Sequence, residues 1–135
     1  MEMTKKDYMK KVYAYDDRLT PRDLYRANRY AWYSFLCLAV TLGTPVIFFG
    51  FEQMTGFGSV IGLVVSIVAI SFGFSMINTA KAAFIRKYIK HLSYAGVYHF
   101  DARAITAAKG YLILGYAFLI LGLVCIAGVL WFLIN

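Results

Sequence analysis

The chain has 135 residues, of which 61% are hydrophobic and only 16% charged, with a formal net charge of +7. A soluble domain of this size is about half apolar and about a quarter charged, so the apolar surplus is more than one small core takes in. An ordinary soluble domain is excluded, and the surplus falls in three uncharged blocks at 31–51, 57–80 and 110–134.

Residues 1–20 form a polar N-terminal segment. Thr4-Lys5-Lys6-Asp7 has the form of a capping box, in which the threonine hydroxyl accepts from the first turn of a helix. Tyr8, Val12, Tyr15 and Leu19 follow at spacings of 4, 3 and 4, which is one stripe of a short amphipathic helix. Lys5, Lys6, Lys10 and Lys11 flank that stripe and suit lipid headgroups or a partner. The stripe itself has three candidate resting places: the inner leaflet, another protein, or the rest of this chain.

Thr20-Pro21-Arg22-Asp23 is the sharpest local signal. Threonine caps, proline takes the first helical position where an N–H is dispensable, and aspartate meets the positive end of the helix dipole. A helix is therefore predicted over 21–51, with Tyr30, Trp32 and Tyr33 marking the interface. Pro45 removes the amide that would bond to the Thr41 carbonyl, which predicts a kink over 41–45.

Each uncharged block holds 21 residues or more, against the roughly 20 that a helix needs to cross hydrocarbon. Barrel strands are shorter and alternate in polarity. About 30 mostly polar residues precede the first block, unlike a cleaved signal. The second helix is predicted to continue past its block to about residue 92, with Ile85, Tyr88, Ile89 and Leu92 on one side and Gly96 as breaker. Asp101 is the predicted N-cap of a third helix over 101–134. Residues 81–109 would thus form a helical hairpin standing about 12 Å clear of the membrane.

All fourteen Lys and Arg lie before the first block or between the second and third. The 52–56 loop carries only Glu52. Loop bias in basic residues sets orientation, which places the N-terminus and the 81–109 segment in the cytoplasm and the C-terminus outside an inner (plasma) membrane. Lys81, Arg86, Lys87 and Lys90 then face anionic headgroups or a partner. Because the basic charge serves topology, no nucleic acid is expected. The sequence reads as an all-α integral membrane protein: three transmembrane helices, cytoplasmic helical extensions and a short N-terminal amphipathic helix.

In the second span Gly58, Ser59, Gly62, Ser66, Ala69 and Gly73 share one face and include a literal GxxxG. Ser71, Ser75, Asn78 and Thr79 take roughly the opposite face. Ala104, Ala108, Gly115 and Gly122 make a similar stripe in the third helix. Small residues let helix backbones approach in lipid, so these stripes are packing faces, within the chain or toward other subunits.

Chemistry is thin. None of the three blocks contains Asp, Glu, Lys, Arg or His, which argues against an ion or proton path. Cys37 and Cys125 lie at different depths and read as small apolar residues. His91 and His99 flank a turn, but two interfacial histidines make a weak metal site. No catalytic triad, carboxylate pair or phosphate-binding loop occurs, so neither an enzyme nor a cofactor is expected. The functional expectation is a non-catalytic subunit of a larger membrane assembly for secretion, conjugation, respiration or transport. The alternatives are a membrane immunity or exclusion inhibitor and a homo-oligomeric pore or holin-like protein.

Overall fold

The computed structural model describes residues 4–55, 59–90 and 97–135. Four helices and one β-hairpin are present among them: α1 (Lys5–Asp17), α2 (Pro21–Thr55), α3 (Ser59–Arg86), β1 (Tyr88–Lys90), β2 (Tyr98–Phe100) and α4 (Ala102–Ile134). α2, α3 and α4 are each long and apolar enough to cross a membrane.

The two helix starts read from the sequence form as their chemistry dictates. Asp7 N–H donates to the Thr4 hydroxyl at 3.3 Å, and Thr4 N–H donates back to the Asp7 carboxylate at 3.2 Å. The Thr4 hydroxyl, which also donates to the Asp7 carboxylate at 2.8 Å, and then the Thr4 N–H hold that carboxyl below its ordinary pKa. At the second start, Asp23 N–H donates to the Thr20 hydroxyl at 3.2 Å, with Pro21 as the first helical residue. α2 runs continuously through Pro45.

The predicted helical hairpin over 81–109 holds at its two ends, where 81–86 and 102–109 are helical, but not at its tip. α3 stops at Arg86, Lys87 turns into the left-handed region with φ of 66°, and the chain continues as an antiparallel β-hairpin. Its register pairs Tyr88 with Phe100, Ile89 with His99 and Lys90 with Tyr98. Aromatic and β-branched residues favour a pleated, half-buried surface, and this short stretch is rich in them. Asp101 N–H closes the hairpin by donating to the Lys87 carbonyl at 2.9 Å. Asp101 holds the predicted N-cap position of α4, and its carbonyl accepts from Ile105 N–H at 3.0 Å, but with φ of 53° its side chain makes no capping bond. Gly96 and His91 lie outside the described residues.

α3 lies between α2 and α4, which pack on it rather than on each other. The α3–α4 seam is one of close backbone approach. A Cβ on Gly73 would sit 2.6 Å from the Gly115 carbonyl oxygen, and one on Gly115 would sit 2.8 Å from that of Gly73. One on Gly122 would lie 3.0 Å from the Ser66 oxygen, and one on Gly62 would meet Val129 at 2.9 Å. Phe72 and Phe118 close the same seam edge to face, 5.1 Å apart. Toward the basic end it continues as a cluster of Ala80, Ala83, Ala104 and Ala108 with Ile89.

The α2–α3 seam is built from hydroxyls instead. Ser34 lies 2.6 Å from the Thr79 hydroxyl and 3.1 Å from that of Ser75, while Ser75 donates to the Ser34 carbonyl at 3.0 Å. Two turns deeper, the Thr41 and Ser71 hydroxyls are 2.7 Å apart. Thr41 and Thr44 also bond back to the Cys37 and Val40 carbonyls, which satisfies their remaining polarity inside lipid.

Candidate functional site

The sequence-derived positions fall into two groups. The first is the small-residue set of the seams. Gly62, Gly73, Gly115 and Gly122 meet across α3 and α4, and Ser66 and Ala69 are buried on α3. Ser66 has no exposed surface and donates to the Gly62 carbonyl at 2.8 Å, so this packing leaves it no place on a pore wall. Ser59 begins α3, and Gly58 lies outside the described residues.

The second group, the basic residues, surrounds an aromatic cap at the end of the bundle where α2 starts and α3 stops. α1 lies on the β-hairpin, which selects the third of its candidate resting places. Val12, Tyr15 and Tyr88 form a buried cluster, with Tyr98 and Phe100 against it. Tyr8 stacks on Phe100 with ring centroids 6.3 Å apart and planes 4° from parallel. Of the Tyr8–Val12–Tyr15–Leu19 stripe read from the sequence, the first three form the face that docks, and Leu19 lies beyond the end of α1.

Two phenol–carboxylate bonds fasten the cap. Tyr15 donates to Asp101 at 2.6 Å and Tyr88 donates to Asp16 at 2.8 Å. The bond to Asp101 raises the Tyr15 pKa above its ordinary value. Burial, followed by the bond to Asp16, raises that of Tyr88 further. Both phenols are thus neutral donors at physiological pH. Nothing in the sequence spacing ties Tyr15 to Asp101, because 86 positions separate them.

Cations decorate this aromatic surface. Lys11 lies 4.3 Å from the Phe100 ring centroid and Arg18 lies 5.0 Å from that of Tyr15. Lys81 sits 5.5 Å from the Tyr30 centroid on α2. Such contacts contribute about 0.5–1 kcal/mol each at exposed sites. Lys5, Lys6, Lys10, Lys87 and Lys90 are exposed. Arg86 is the most engaged of the basic residues: it donates to the Asn28 side-chain oxygen and stands 5.9 Å from the Tyr88 ring.

Beneath the cap is a cavity of about 310 Å³, bounded by α1, α2, α3 and the hairpin. Ser34 and Thr79, the outermost hydroxyls of the α2–α3 seam, line it together with Arg86, Tyr88, Lys90 and Tyr98. An adjoining groove of about 390 Å³ runs along α2 past Asn28, Ala31, Trp32 and Phe35. Ala31 lines both. Among the described residues no group of three or more His, Cys, Asp or Glu side chains is close enough to hold a metal. Family models, curated proteins and solved structures compared with the chain give no match.

Proposed function

We propose that the chain is a non-catalytic subunit of a larger inner-membrane assembly for secretion, conjugation, respiration or transport. In this reading the aromatic cap faces the cytoplasm and the C-terminus lies outside. Orientation rests on the basic residues, all of which belong to the two segments that build or flank the capped end.

One observation carries the subunit reading. The small faces of α3 and α4 that hold Gly62, Gly73, Gly115 and Gly122 are occupied within the chain, whereas α2 keeps an aligned one that is open, as are the single glycines Gly110 and Gly128 of α4. Ala39, Gly43 and Gly50 fall within an arc of about 40° at ~100° per residue. A Cβ on Gly43 or Gly50 would meet nothing within 4 Å. Small residues serve close helix approach in lipid, and a second helix from another subunit gives this face its use. Around it α2 presents Leu42, Val46 and Ile47, each more than 60% exposed.

Purification of a tagged copy from its host in mild detergent tests the reading. A stable partner of defined stoichiometry is expected, and Gly43→Leu with Gly50→Leu should release it without unfolding the chain. Recovery as a lone monomer in every mild detergent overturns it. A reporter fused after Asn135 tests orientation separately: it should be active only outside the cytoplasm.

A further inference from the structure

We infer that the cavity under the aromatic cap binds the headgroup of an acidic glycerophospholipid, with one acyl chain lying in the α2 groove. The inference rests on the chain being a membrane protein, and it is independent of the subunit reading.

Charge is the first argument. Arg86 and Lys90 both line the cavity, and among the described residues that line it there is no carboxylate. The Arg86 Nε–H is buried and has no hydrogen-bond partner. An unsatisfied buried donor on a cation costs more than a neutral one, and a phosphate beside the guanidinium compensates its charge. Asn28 already holds another nitrogen of the guanidinium, which fixes the orientation of the remaining donors. Ser34 and Thr79 also line the cavity, but both hydroxyls already donate to the Ser75 carbonyl, which leaves the cations as its anion-binding groups.

Depth is the second. Arg86 lies six residues beyond Ala80, where the second uncharged block ends, and Asn28 lies three before Ala31, where the first begins. At ~1.5 Å per residue these are about 9 Å and about 5 Å outside the hydrocarbon, the zone of lipid phosphates.

Adjacency to an exposed apolar face favours a lipid over a free phosphate. Ala31 lines both the cavity and the apolar hollow at Trp32 and Phe35, whose side chains are exposed on the first uncharged block of α2. The two rings stand edge to face, 6.0 Å apart, and present an apolar surface suited to an acyl chain. A basic pocket beside a transmembrane helix at the headgroup level is how membrane proteins select anionic lipids. The cavity volume falls at the lower end of the ~300–1,000 Å³ typical of ligand sites, which suits a headgroup whose chains lie elsewhere.

Trp32 reports directly on the groove. The chain has two tryptophans, so Trp131→Phe leaves Trp32 as the sole emitter. That protein, reconstituted singly in nanodiscs, is measured with phosphatidylglycerol or phosphatidylcholine brominated on the acyl chain. Brominated phosphatidylglycerol at low mole fraction should quench Trp32 with an apparent affinity roughly tenfold or more above that of the choline lipid. Lys90→Gln, at an exposed position, should lower the preference on the order of fivefold, as should Arg86→Gln. Arg103→Gln, on α4 away from the cavity, should leave it unchanged.

Ala31→Leu blocks the junction without altering charge and should abolish selective quenching even if Arg86→Gln fails to fold. Equal quenching by the two lipids overturns the inference. So does a preference that survives both Lys90→Gln and Ala31→Leu. Loss of the preference in millimolar inorganic phosphate, with retention in equal chloride, would assign the cavity to a free phosphate and overturn the lipid assignment. None of these outcomes depends on a protein partner, so a failed partner search and a failed lipid preference are distinguishable.

Discussion

Substitution of Gly73 by alanine separates a packing seam from a merely glycine-rich helix. The added Cβ would lie 2.6 Å from the Gly115 carbonyl oxygen and 2.9 Å from the Leu119 backbone nitrogen. Both are backbone atoms, so no side-chain rotation relieves the contact. Restoring an ordinary separation of 3.4 Å to that oxygen requires α3 and α4 to part by about 0.8 Å. A gap of that size forfeits a quarter to a half of the dispersion well for each neighbouring atom pair. Overpacking of this kind costs about 1–3 kcal/mol. Against it stands the gain of alanine over glycine in a helix, at most about 1 kcal/mol. The net expectation is a loss of roughly 0.5–2 kcal/mol. Gly43→Ala is the matched control, since its Cβ meets nothing within 4 Å and only the helical gain remains. Reversible unfolding in mixed detergent micelles, followed by energy transfer between probes on α3 and α4, measures both. If Gly73→Ala proved as stable as Gly43→Ala, the close approach of these helices would be refuted.

Gly115→Ala added to Gly73→Ala should cost less than on its own, because the helices have already parted; a double-mutant cycle reads this coupling. Ser75→Ala removes one member of the hydroxyl seam and should cost about 0.6 kcal/mol, and no more than about 1.7, in the same unfolding assay. Tyr15→Phe deletes the bond to Asp101, and tryptic cleavage of α1 at its lysines should accelerate severalfold, with the spans left intact. The cap also has a predictable pH dependence. Tyr15 and Tyr88 have folded pKa values raised above the ordinary 10.0, so their contribution is complete below that pH and is lost as pH rises through the folded values. Near-ultraviolet circular dichroism of the aromatic cluster should therefore be flat from about pH 6 to 9 and decline only above about pH 10.

What the sequence disclosed and what it withheld differ by the range of the interactions. Long uncharged runs disclose spans because each span is decided locally, by transfer of some twenty consecutive residues. The Thr4 and Thr20 caps are equally local, with donor and acceptor three positions apart. The β-hairpin was illegible for a specific reason. Ile85, Tyr88, Ile89 and Leu92 fit a helical stripe, yet Tyr88 and Ile89 are adjacent residues that bury in different places. Tyr88 joins Val12 and Tyr15 under α1, whereas Ile89 joins Ala80 and Ala104 at the end of α3 and α4. Opposite faces for neighbours is the period of a strand, but it shows only when both partners are known. The cavity under the cap was hidden for the same reason: Ser34, Arg86 and Lys90 come from three elements, and only Arg86 and Lys90 stood out as charges. Asp101 takes the N-cap position that an aspartate before an alanine-rich run suggests, but its carboxylate serves a phenol from α1 instead.

The two seams of α3 differ in kind, and that difference predicts which helix yields first. Against α4, the contact is backbone on glycine, and a displacement of under an ångström creates either a clash or a void. Against α2, the contact is hydroxyl on hydroxyl, and a hydroxyl rotates to exchange one acceptor for another as its helix shifts. Pro45 removes one backbone bond from α2, so its middle is also held by fewer internal constraints. α2 is therefore the helix with latitude, and it is the one that carries the open small-residue face and the Trp32 groove. Amide exchange in nanodiscs should run faster in the middle of α2 than at equal depth in α3 or α4. Equal protection in all three helices would show that the hydroxyl seam is as rigid as the glycine one, and the α2 face would then have to meet its partner without adjustment.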